Sequence, residues 1–409
     1  MGSVVRAADE RTTNRLVGVV WALLVVNTLG ASSPEALIPV PHRLAQLLTM
    51  GALLLAFAIA LILNPRLRVR PSGLLLLLTL LLVSSFVASA YLESGFGAIA
   101  RSIRFALFLA TLWLLTPFWD GTVRFVRYHV KTLGVVLLTV VAGLIIAPGA
   151  AMPADFDSRL TGVLWFLEAT QVGDYAAVVA GLTIMLWLTR RIDGKSALLI
   201  APAAFVVLLL SHTRTATFAM LIGLAVGIVS LATTNLRARR AIGVGLVGAG
   251  LAGVTWKAIQ TWVLRGQDSD DFSSLTGRQV YWDAVLSKPR TVREEWLGVG
   301  LTDKSFGGLP IDSSWLVVYH EQGFVGIGLV ALCFVVLLVS MFLRSSSPAR
   351  ACAILLVVHV LLASYTQVGL GDASTYMLHL VVAATCLVRG ETPAPPWRPP
   401  ARAREQAAI

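Results

Sequence analysis

Apolar runs of about twenty residues, parted by short polar stretches, fill this chain almost from end to end. A helix of that length rises about 30 Å, the thickness of a bilayer's hydrocarbon core. The period-two alternation of a membrane barrel is absent. The runs predict twelve transmembrane helices, over 16–36, 44–63, 73–92, 100–118, 132–148, 163–189, 196–211, 215–233, 241–263, 314–342, 351–369 and 373–389. Glu168, Gln171 and Asp174 interrupt the sixth. The expected fold class is all-α, a polytopic membrane protein. One transmembrane domain covers 16–390, after a short tail (1–15) and before a tail rich in Pro, Ala and Arg (391–409) that predicts disorder. There is no internal repeat. The glycine run GVGLVGAGLAG (243–253) predicts close helix packing; a phosphate-binding loop would need a preceding strand.

Composition agrees with this pattern. Only 13% of residues are charged, against about 25% in soluble domains, and the mean hydropathy is +0.78. The net charge of +11 therefore does not point to nucleic acid; where the charges lie matters more. With the N-terminus in the cytoplasm, 21 of the 33 Lys and Arg residues fall in the tails and in five short loops on that side. This predicts both termini inside and one large extracytoplasmic loop, 264–313. The first apolar run has no small-residue cleavage site, so a retained span is expected. Cys333, Cys352 and Cys386 lie in apolar runs without metal-ligand spacing and read as packing residues.

Chemistry concentrates between Ser274 and Gly326, which reads SSLTGRQVYWDAV, then WLGVG, then IDSSWLVVYHEQGFVG. Three arginines stand on the predicted outer side. Arg214, in SHTRTAT, is either a snorkelling helix-end residue or an anion site facing a cavity; a cation at the bilayer centre costs about 3 kcal/mol. Arg159 is either a loop charge paired with Asp155 or Asp157, or a second cation for the same anion. Arg278 opens a predicted short helix, QVYWDAVLS, whose free N–H groups favour anions.

Asp312 precedes the tenth span, as an N-cap worth about 1 kcal/mol or as a general base. His320 and Glu321 follow about 12 Å further along the axis, as buried partners for an arginine or as further acid–base groups. QDSDDF (267–272) lacks the ligand spacing of a calcium loop, and no His/Cys cluster, HExxH or Walker motif occurs. No metal site or cofactor is expected.

The order RLTG, S-x-T-R-T-A, SLTGRQVYWDAV, GVG and DSSWLVVYHEQGFVG resembles the O-antigen ligase and O-antigen polymerase superfamily of bacterial membrane glycosyltransferases, over roughly 155–330. The resemblance implies a multi-pass protein of the bacterial cytoplasmic membrane with its active site on the extracytoplasmic side. Its donor would be a glycan on a polyprenyl diphosphate carrier, and its acceptor a glycan or glycolipid hydroxyl. Arg159, Arg214 and Arg278 would inherit the role of holding the diphosphate. Ligases carry a histidine where this chain has Asp312, and polymerase-like members carry aspartate there, so ligase and polymerase both stay open. The rival class is a twelve-span secondary transporter or a flippase for lipid-linked sugars, which would favour related half-sequences and binding residues at mid-membrane.

Overall fold

The apolar runs fold as α-helices because a backbone in hydrocarbon must satisfy its own N–H and C=O groups. In chain order the helices are α1 Gly2–Thr28, α2 His42–Leu63, α3 Gly73–Tyr91, α4 Phe96–Leu115, α5 Arg124–Ile146, a single turn α6 Pro148–Ala151, α7 Ala169–Leu188, α8 Gly194–Leu210, α9 Arg214–Leu231 and α10 Leu236–Val254. Two short helices follow, α11 Arg278–Ser287 and α12 Val292–Leu297, and then α13 Ser314–Leu343, α14 Pro348–Ala363 and α15 Thr375–Leu387. A two-stranded antiparallel hairpin, Ser305–Phe306 with Leu309–Pro310, lies between α12 and α13. The computed structural model describes residues 2–30, 36–37, 41–91, 95–154, 158–254, 278–301, 304–306 and 309–389. Asp155, Asp157, the acidic stretch 267–272 and the tail 391–409 lie outside them.

Seven of these helical segments are long and apolar enough to cross a membrane, and α8, α14 and α15 are shorter apolar helices. Ile62, Leu198 and Phe342 are 74%, 75% and 82% exposed. An apolar surface of that kind is at home in lipid and unfavourable in water. The chain is a membrane-embedded helical protein.

Among the helices long enough to span a membrane, α7 is the most enclosed, packed against α5, α8, α9 and α14. It begins at Ala169, later than the expected 163, because Glu168 takes the N-cap position and Gln171 Oε1 accepts from its N–H at 3.3 Å. The expected glycine packing on α10 is not seen where its side chains are described: Gly243 and Gly245 have nothing within 4 Å. The close approach occurs on α9 instead. A Cβ at Gly223 would lie 2.8 Å from Leu355 O, and one at Gly227 would lie 3.2 Å from Ala351 O, so α9 meets the α14 backbone directly.

Helix α13 is two helices joined at Gly323, whose φ is +61° and ψ is −159°. The break frees carbonyls that would otherwise accept from the next turn. The loop supplies replacements: Val299 N–H donates to His320 O at 3.0 Å, and Gly300 N–H to Glu321 O at 3.0 Å. Leu301 N–H donates to Ser89 Oγ of α3 at 3.2 Å. The WLGVG segment is thereby inserted between α3 and the break in α13.

Candidate functional site

The polar run SHTRTAT is the turn from α8 to α9. His212 takes φ +52°, which reverses the chain in one step. Thr213 Oγ1 donates to Ala169 O at 2.9 Å, and Gly173 of α7 admits it, since a Cβ there would lie 2.4 Å from the Thr213 Cβ. Ser211 Oγ and Thr217 Oγ1 donate to Leu208 O and Thr213 O. These hydroxyls satisfy backbone groups in and beside the turn. Arg214 remains as the first residue of α9, partly buried.

The end of α8 also recruits Arg159. Its last carbonyls lack intrahelical partners. Leu160 N–H donates to Leu210 O at 3.0 Å, and Arg159 Nε donates to Ser211 O at 3.2 Å. Arg159 and Arg214 therefore share one turn although 55 positions separate them in sequence.

Thr215 and Thr366 share a hydrogen bond of 2.7 Å. Thr366 belongs to the 364–374 loop between α14 and α15, where the expected spans ran almost together; α14 stops at Ala363. Ser314 organises that loop. Its N–H donates to Ser364 O (3.0 Å) and Gln367 O (3.1 Å), its hydroxyl donates to Gln367 O (2.6 Å), and that same oxygen accepts from Gly369 N–H (2.9 Å). Trp315 Nε1 donates to Ser364 Oγ at 3.1 Å. Lys304 of the hairpin segment pairs with Asp372 at 2.9 Å. Asp312, half-buried, precedes this anchor by two residues and leaves the N-cap position to Ser313.

The expected helix at Arg278 is present as α11. Its Val285 is buried against Ile311 and Val317, and Trp282 meets the Tyr365 ring edge-on at 5.3 Å. Arg278 begins that helix. One end of the bundle, its polar mouth, thus gathers Arg159, Arg214, the helix that Arg278 starts, and Asp312.

His320 and Glu321 are placed differently. Both are buried beneath the mouth, with their carbonyls taken by the WLGVG segment. His320 Nδ1 accepts from Arg290 Nη2 at 3.2 Å, which gives it an arginine partner. Arg290 also donates to Val285 O and lies over the Tyr319 ring at 4.5 Å. Its Nε and Nη1 are buried without a hydrogen-bond partner. Sequence reasoning passed over Arg290 because it sits among other loop cations (Lys288, Arg293); the signal was a proline before it and a Thr-Val-Arg-Glu cap after it. It passed over Ser314 and Asp372 because hydroxyls and loop acids are common.

Chemically, the mouth combines guanidinium groups, which pair with phosphate oxygens through forked donors, with a carboxylate able to accept a hydroxyl proton. Among the described residues no group of three His, Cys, Asp or Glu is set to hold a metal ion. No protein-family model matches the chain, and no curated protein matches it.

Proposed function

We propose that this chain is a membrane glycosyltransferase that moves a glycan from a polyprenyl diphosphate carrier to an acceptor hydroxyl, as a polysaccharide polymerase or ligase. The reading takes α1–α5, α7–α10 and α13–α15 as twelve spans with both termini in the cytoplasm. The mouth described above then faces outward from the bacterial cytoplasmic membrane. The observation that supports it is the convergence of Arg159 and Arg214 on one turn, linked through Thr215–Thr366 and Gln367–Ser314 to the segment holding Asp312.

In this mechanism Asp312 accepts the proton of the acceptor hydroxyl as its oxygen bonds to the anomeric carbon. The bond from that carbon to the diphosphate breaks, and the electron pair leaves with the carrier. Arg159, Arg214 and Arg278 stabilise the charge that develops there, a contribution that grows in a site poor in water. Attack opposite the leaving group inverts the anomeric centre. His320 and Glu321 hold the broken helix and do not touch the reacting atoms.

The test is glycan transfer from a lipid-linked donor in membrane vesicles carrying Arg214→Lys, Arg278→Lys or Asp312→Asn, with insertion verified by surface labelling. Loss of turnover in each is expected. Normal turnover in all three would overturn the assignment. A second reading, a transporter or flippase for lipid-linked sugars, is favoured by one observation: Asp174 lies buried in the bundle between His359 and His379. Reconstituted vesicles separate the two, because only a transferase releases carrier diphosphate.

A further inference from the structure

A chain of polar side chains crosses the bundle interior apart from the mouth. Asp174 of α7 lies between two histidines: His359 Nε2 of α14 is 2.8 Å from Oδ1, and His379 Nε2 of α15 is 3.1 Å from Oδ2. His379 Nδ1 is 2.7 Å from His129 Nε2 of α5, and Trp21 Nε1 of α1 is 3.2 Å from His129 Nδ1. All five side chains are buried.

Trp21 and Asp174 set the direction of the chain from its two ends, the indole only donating and the carboxylate only accepting. An indole N–H only donates, so His129 Nδ1 must accept. A neutral His129 then carries its proton on Nε2 and donates to His379 Nδ1. His379 in turn carries its proton on Nε2 and donates to Asp174. A second proton on His379 would confront the His129 N–H, and one on His129 would confront Trp21. Neither ring can take a proton without breaking a bond.

His359 is the exception. Its Nε2 faces the carboxylate, and its Nδ1 is buried with no hydrogen-bond partner. Three neutral rings and one carboxylate leave a net charge of −1 inside the bundle, which a low-dielectric interior disfavours. One proton shared by Asp174 and His359 removes it.

The other ionisable groups nearby do not replace that proton. Tyr175 and Tyr376 flank the cluster from α7 and α15, and both hydroxyls have partners, Thr375 and Gln367. Arg104 of α4 is engaged by Asn27 of α1. Helices α8 and α9 each carry one cation, Lys195 and Arg214, in their first turns, and His320 and Glu321 of α13 are buried at its break, against the WLGVG segment.

We propose that the Asp174–His359 pair is a proton-binding site in the bundle interior, holding one proton taken from water, with Trp21 directing it to His359. This does not rest on the glycosyl-transfer reading. The test is nitrogen-15 NMR of histidine-labelled full chain in lipid nanodiscs across pH, assigned with His→Gln variants. His359 should carry both ring protons at neutral pH or gain the second on acidification, while His129 and His379 stay neutral with the proton on Nε2. Asp174→Asn should abolish the second His359 proton. Trp21→Phe should free His129 to carry its proton on Nδ1, so that part of the second proton reaches His379. A His359 that stays neutral at every pH where the wild-type chain is folded would overturn the proposal. So would a second proton on His129 or His379 of the wild-type chain, or a distribution of the second proton that Trp21→Phe leaves unchanged.

Discussion

Gly298 and Gly323 meet backbone to backbone: a Cβ on Gly298 would lie 2.2 Å from Gln322 N, and one on Gly323 would lie 2.4 Å from Trp296 C. Both have positive φ, +74° and +61°. The two glycines let the loop seal the break in α13, and the first half of α13 carries the segment that presents Asp312.

Gly298→Ala and Gly323→Ala should each destabilise the protein, by strain of about 1–3 kcal/mol and by the clash in addition. Gly328→Ala, where nothing lies within 4 Å, is the control. Thermal unfolding in detergent should fall for the first two and hold for the third. Equal behaviour of all three would mean the contact is not tight.

Ser314→Ala removes a hydroxyl that donates to Gln367 O and accepts from Gly369 and Leu370 N–H groups. At about 1 kcal/mol for each bond lost, the 364–370 loop should open more readily. Amide exchange there should quicken several-fold while α7 exchange is unchanged; under the proposed glycosyl transfer, turnover should fall as well because Asp312 loses its anchor.

Gly223→Leu should separate α9 from α14, because a side chain there would press on Leu355 O at 2.8 Å from its first atom. Gly243→Leu on α10 should be tolerated. Yield of folded protein on size-exclusion chromatography in detergent distinguishes the two.

The Glu294 carboxylate is held below the usual range, first by the Thr291 backbone N–H (2.8 Å) and then by the Thr291 hydroxyl (3.0 Å). A depressed folded value means that its contribution is present above the unfolded value of about 4.3 and is lost as pH falls through the folded one. Amide protection in α12, measured against the intrinsic exchange rate at each pH, should therefore fall on acidification below that unfolded value. Glu294→Gln should exchange faster at neutral pH and respond less to acid.

Cysteines placed at Asp270 and Thr233 report the sidedness. The native thiols are buried, so an impermeant reagent applied outside should label 270 and spare 233. The opposite pattern would overturn the proposed topology, in which the mouth faces the extracytoplasmic side.

Much of this could be read in the chain before any fold was known. Apolar runs of bilayer length mark out the helices, because a buried backbone in lipid has few other ways to satisfy itself. The helix at Arg278 and the polar turn at Arg214 were both visible, since each is a local pattern. The role of the turn's hydroxyls was not visible, because several bond to backbone groups that only the fold brings near. In the dense glycine run of α10 the described members, Gly243 and Gly245, have nothing near them, whereas Gly223 and Gly227 of α9 meet the α14 backbone because their spacing puts both on one face.

What composition and spacing determine here is the class of molecule and the segments from which a site can be drawn. Which side chains meet was decided only in three dimensions. Arg159 joins Arg214 because the end of α8 has carbonyls to satisfy. Ser314 binds a loop some fifty residues away. Asp174 looked like an interruption of a span; three histidines from three other helices and one indole N–H make it the centre of a directed hydrogen-bond chain. Local periodicity reports how one helix meets its solvent, but a hydrogen bond between helices depends on their relative rotation and depth, which packing alone sets.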